Sequence, residues 1–204
     1  MTWSSPHTYV TNEIVTSSML NTDHRDNLLA MLHPYDYASS DLDVANTVSE
    51  TSLWSKVVTG AALGTSGRMV AEITGDYLFN NAAADTATIR VKFGGSTVMT
   101  HTFGAYAATG GSGRYHWRLL VVVANKGATN SQEVSTVSFW HNHQFVSSAS
   151  ATGTAQASSI SHGSNYTAVD TTADQTFQVT AQWSAASANL SWRKRVAVLL
   201  LGQN

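Results

Sequence analysis

The chain has 204 residues and a mass of 21.8 kDa, with no cysteine, two prolines and fourteen glycines, which suits one domain with a short appendage and leaves no disulfide or thiolate chemistry. Eleven Lys and Arg against thirteen Asp and Glu give a formal net charge of -2 with only 12% charged residues, and the one basic run, Arg193-Lys194-Arg195, is too short to bind a phosphate backbone. No nucleic-acid partner is therefore expected. Serine and threonine, 25 of each, supply the polar surface that charge normally provides. The opening Met1–His7 lacks the basic and apolar stretches of a secretory leader, and no eighteen-residue apolar run follows, so cytosolic synthesis without membrane insertion is expected.

In chain order, the first forty residues stand apart. Trp3, Tyr9, Val10, Ile14 and Val15 form an apolar arm with no local partner. Thr16 is placed to cap a helix that runs to Leu32 and stops before Pro34. Leu20, His24, Leu28, Met31 and Leu32 share its apolar stripe. A lone helix of this length is marginal in water, so it must dock on its own β domain or on a partner. The segment Asp36–Asp43, with three aspartates, reads as a solvated linker.

From residue 41 the period becomes two, and β-rich runs alternate with glycine turns. Thr88–Phe93, Gly94-Gly95 and Ser96–Met99 spell a hairpin with a two-residue turn. Strands are expected over Arg68–Tyr77 and Tyr115–Ala124, each after a Ser-Gly-Arg turn. The stretch Leu119–Val123 is apolar at both parities, as is the closing Val196–Leu201, which asks for cover on both faces. Thr176–Trp183 alternates cleanly, with Phe177, Val179, Ala181 and Trp183 on one side. The Ser/Ala/Thr tract Ser147–Ser164 fits a loop or a flat strand equally well. The pattern predicts a mainly β fold, an antiparallel jelly-roll-like β-sandwich over residues 41–204, preceded by an extended arm and one short helix over residues 1–40.

Chemistry is sparse. His141 and His143 alternate along a strand and could converge on one metal, although two ligands need a third from elsewhere in the chain or from a neighbouring subunit. Three such pairs around a threefold axis would give six nitrogens, a set suited to iron or nickel. Otherwise the two are ordinary half-buried strand histidines, and no cofactor is required. Gly-x-Ser-x-Gly and the phosphate-cradling loop are both absent. Trp117 and Trp183 belong to the expected core, whereas Trp3 and Trp54 are better placed to meet another chain. No enzyme is expected.

Trp3-Ser4-Ser5-Pro6, Tyr9–Thr16, Leu20-Asn21 and Arg25–Leu28, together with Phe177–Ser187 ahead of the last apolar strand, resemble a family of small tailed-bacteriophage virion proteins. The resemblance implies a non-enzymatic virion component made in the host cytoplasm, of the trimeric fibre, spike or head-decoration type. It implies anchoring to other virion proteins through the arm and helix, with Trp3, Tyr9, Ile14, Leu20, Asn21, Arg25, Leu28 and Leu32 as partner-contact residues. It also implies a β head displayed outward, with a host surface glycan as a further partner, and iron held by His-x-His on the threefold axis. Two rival readings remain: a free carbohydrate-binding β-sandwich module, and a metal-dependent enzyme using His141 and His143.

Overall fold

The computed structural model of the chain describes residues 8, 11, 13–20, 36–81, 85–103, 113–144 and 159–202; at 20, 103, 139–144 and 159–164 it describes the backbone alone. The chain divides into two compact units, residues 1–35 and 36–204.

In the first unit, Thr16 caps a helix as the sequence predicts. The Met19 amide donates to Thr16 Oγ1 at 3.3 Å, and α1 (Ser17–Leu20) follows. The continuation to Leu32 lies outside the described residues.

The second unit is the mainly β, antiparallel sandwich that the alternating pattern predicts. Its described strands are β1 (Asp36–Ala38), β2 (Leu42–Ala45), β3 (Thr51–Val58), β4 (Arg68–Phe79), β5 (Ala87–Phe93), β6 (Ser96–Phe103), β7 (Tyr115–Asn125), β8 (Gln132–Gln144), β9 (Ser159–Thr167), β10 (Gln175–Trp183) and β11 (Leu190–Gly202). One sheet runs β1-β11-β4-β7-β8-β9, with β2 also paired to β11; the other runs β3-β10-β5-β6. The β5-β6 hairpin turns at Gly94 and Gly95, whose φ values of 56° and 80° suit a turn in which both central residues are left-handed. The undecided Ser/Ala/Thr tract ends in β9, which pairs along β8.

The core lies between the sheets. Met69, Ala71, Ile73, Tyr77 and Phe79 of β4 face inward beside Tyr115, Trp117, Leu119, Val121 and Val123 of β7. Opposite them, β10 contributes Phe177, Val179, Ala181 and Trp183, and β5 contributes Ile89, Val91 and Phe93. Aromatic rings knit the layers: Trp183 stacks on Trp192 at 5.7 Å, and Trp192 meets Trp117 edge-on at 5.7 Å and Tyr77 at 4.9 Å.

Gly75 makes room for this cluster. A Cβ there would overlap the Arg193 carbonyl oxygen and come within 2.7 Å of Trp117 Nε1, which instead donates to that carbonyl at 3.2 Å. At one end of the sandwich a buried polar network closes the loops. Asn125 Nδ2 donates to the Gly64 carbonyl at 2.6 Å and to Thr171 Oγ1 at 2.9 Å, while Gln132 Nε2 donates to Asn125 Oδ1 at 2.9 Å and Gln132 Oε1 accepts from the Val169 amide at 2.8 Å.

Trp54 differs from its sequence reading. It is buried and packs edge-on against Phe177 at 5.7 Å. The register of β3 on β10 shifts between Val179 and Thr180, and this irregularity turns the consecutive Leu53 and Trp54 both inward.

Candidate interaction surfaces

Position along the strands decides which side chains leave the core. In β4, β7 and β11 the inward set is filled, while the alternate set forms the outer face of the larger sheet. Registers place these outer residues in rows. Leu200, Val70 and Val122 form one row; Val198, Glu72, Leu120 and Val137 form the next; Val196, Thr74 and Arg118 form a third. Tyr37 sits beside Val198 on β1.

The double-sided apolarity of β7 and β11 predicts cover on both faces; among the described residues of the second unit the inner face is sealed and the outer face is half-open. Leu200 is 47% exposed and Tyr37 57%, and the valines and Leu120 of these rows are half-buried. At the centre of this apolar field, Arg118 Nε donates to Glu72 Oε1 at 2.8 Å.

The other end of the same face is ionic. Arg193 grips Asp43 through two bonds of 2.7 and 2.8 Å, Arg195 Nε donates to Asp76 at 2.7 Å, Arg195 also pairs with Asp41, and Arg114 pairs with Asp76. Asp36 completes the edge with Lys56 at 3.2 Å. Asp36, Asp41 and Asp43 are thus partners that hold β1 and β2 against β11 and β3, where the sequence suggested a solvated linker. The Arg193 guanidinium is the main reason the Asp43 carboxyl titrates below its ordinary value.

Arg193-Lys194-Arg195 straddles the sheet, as a strand requires. Arg193 and Arg195 turn outward, while Lys194 pairs with Gly75 on the inner side and is only 3% exposed. Burial pushes its ammonium below the ordinary lysine value, and Asp41 and Asp36 oppose that shift.

The outer face of the smaller sheet has a different character. Thr176, Gln178, Thr180 and Gln182 of β10 alternate outward beside Thr88, Arg90 and Lys92 of β5. Residues Val48 to Glu50 lie across them: Gln182 Nε2 donates to the Val48 carbonyl at 3.0 Å, and Thr180 Oγ1 donates to Glu50 Oε1 at 2.7 Å. Arg90 and Lys92 also pair with Glu50. The hydrogen bonds from Lys92 and Thr180 lower the Glu50 pKa. This side of the sandwich is a hydroxyl, amide and charged surface interrupted by the exposed Val48 and Val57, with no exposed aromatic ring among its described residues. The exposed tyrosines, Tyr37 and Tyr166, stand on β1 and β9, opposite edges of the other sheet.

Of the expected partner-contact residues, Ile14 is described, and it is 84% exposed, with Val15 beside it also exposed. Leu20 is described by backbone alone as the last residue of α1, while Trp3, Tyr9, Asn21, Arg25, Leu28 and Leu32 lie outside the described residues. His141 and His143 are carried by β8, but their side chains too lie outside them. Among the described residues no group of three or more His, Asp or Glu is placed to hold a metal ion. No described helix is long and apolar enough to cross a membrane. The platform on the smaller sheet and the pairing roles of Asp36, Asp41 and Asp43 escaped the sequence reading, because partners such as Glu50 and Thr180 lie 130 residues apart.

These surfaces belong to an antiparallel β-sandwich. No family model and no curated protein matches the chain. Among solved structures, 17 chains match. One is the lectin UEA-II complexed with galactose, at 8% identity over 76% of this chain and 78% of that one, with a TM-score of 0.31. Another is the CBM2 module of the evolved Dit of Lactobacillus casei BL23 phage J-1, at 8% identity over 71% and 66%, with a TM-score of 0.28. A third is the alginate lyase from Klebsiella pneumoniae, at 5% identity over 68% and 60%, with a TM-score of 0.26. At that degree of likeness nothing about ligand or activity passes from those proteins to this chain.

Proposed function

We propose that the protein is a non-catalytic structural component of a bacteriophage virion, an appendage or decoration protein attached through its first unit and displaying its β-sandwich. One observation carries this reading: apolar side chains are left uncovered in both units, at Ile14 and Val15 in the first and at Leu200 and Tyr37 in the second. Association would remove this surface from water at roughly 25 cal/mol per Å². The likeness of the opening and closing segments to small tailed-phage virion proteins supports the choice of particle.

The partners on this reading are copies of the same chain and other virion proteins. Deleting residues 1–33 tests it, because the remaining unit has its own core. The truncated chain is expected to keep its β-rich circular dichroism and its cooperative melt, yet to be missing from purified particles. Normal incorporation of the truncated chain would remove the anchor.

The platform of Gln178, Gln182, Arg90 and Lys92 favours a second reading, recognition of a hydroxyl-rich glycan by the smaller sheet. Binding on a glycan array that is lost in Gln178→Ala and Lys92→Ala would support it; an array without a hit would end it.

A further inference from the structure

We propose that the outer face of the seven-stranded sheet is a homotypic interface on which a second copy of this chain packs, related by a twofold axis. The inference deepens the self-association within the proposed function, and it stands on the rows of residues that cross β11, β4, β7 and β8.

Three features of this face select the occupant. The rows are regular and apolar, with Leu200, Val70 and Val122 in one and Val198, Leu120 and Val137 in the next, so they offer the flat, pleated field on which another sheet packs. Among the described residues, the charges in these rows and the third are Glu72 and Arg118, one acid and one base, joined at 2.8 Å, and the row beyond Leu200 adds a second base and acid, Arg68 and Glu133. A net-neutral field has nothing to attract a polyanion or a basic peptide. One acid beside one base is also self-complementary: a twofold axis passing between them, in the plane of the interface, sets the Glu72 of each copy against the Arg118 of the other.

The third feature is the rim. Arg193, Arg195 and Arg114 are already paired with Asp43, Asp41 and Asp76 within one chain, so this end of the face carries no unbalanced field that would repel an identical surface.

Light scattering and sedimentation of the full chain test the proposal. The wild-type protein is expected to reach a mass twice 21.8 kDa as concentration rises. Leu200→Lys, at a position too exposed to threaten folding, is expected to raise the dimer dissociation constant at least tenfold with the melting temperature unchanged. Glu72→Arg and Arg118→Glu, each alone, place like charges together and are expected to be monomeric. Mixed in equal amounts, they are expected to form a heterodimer, which only a face that meets its own copy can do.

A wild-type chain that stays monomeric at all concentrations would overturn the proposal and leave the face to a different protein. So would a trimer, a dimer indifferent to Leu200→Lys, or a charge-swapped mixture that fails to associate. None of these results touches particle incorporation through residues 1–33, so failure here is separable from failure of the proposed function.

Discussion

Gly75 shows how much one missing methyl group settles. It lies inward on β4, between Trp117 of β7 and Lys194 of β11, where only hydrogen fits beside the Arg193 carbonyl. Gly75→Ala must push the Arg193 backbone or the indole aside and break the bond from Trp117 Nε1. A loss of about 3 kcal/mol is expected, at the upper end for an overpacked core, read as a lowered urea midpoint with an unchanged slope. Sequence could not have shown this, because Trp117 and Arg193 are remote in the chain. It could and did assign Trp117 and Trp183 to the core, since their neighbours alternate.

At the scale of elements, the strands with strong alternation were legible and the short ones were not. β5, β6, β10 and the capped start of α1 follow from local signals, namely period two, paired glycines and a threonine at the helix N-cap. β1 and β2 have three and four residues and no period of their own. They are strands because β11 offers them a ladder, and because Asp43 finds Arg193 across it while Asp36 finds Lys56 of β3.

Three titratable groups of the second unit make the fold acid-labile in two steps. His101 on β6 pairs with Ile89 on the inner side, and burial lowers its pKa below the ordinary 6.5. A folded value below the unfolded one means that the unfolded state takes up the proton first, so the contribution of His101 is whole above about pH 6.5 and is lost as pH falls below it. Asp43 and Glu50 are held below their ordinary 3.8 and 4.5. Their contributions are whole above those values and are lost as pH falls through the lowered ones. As pH falls, the thermal midpoint is therefore expected to decline first through His101 below about pH 6.5 and to drop again below about pH 4. His101→Gln should abolish the first decline alone; a first decline that persists in this variant would contradict the assignment.

Across the described residues, the physical theme of the proposal is exposed apolar surface. The sequence carried this theme in a readable form, as two strands apolar at both parities and an arm rich in aromatic and branched residues. Among the described residues the exposed large apolar side chains are Leu200, Tyr37, Leu42 and Tyr166 on the larger sheet, Val48 and Val57 on the side of the smaller one, and Ile14 and Val15 in the first unit. What the sequence could not carry is the arrangement within the outer face of the larger sheet. The neighbourhood of Glu72 and Arg118 depends on the register of β4 on β7, which no local pattern fixes.

Electron cryo-microscopy of the intact phage particle tests the central claim most directly. The sandwich is expected on the particle, with the rows around Leu120 and Leu200 buried against another protein surface and the segment around Ile14 seated in a neighbouring virion protein. A particle without this chain, or one that carries it with both surfaces open to water, would contradict the account.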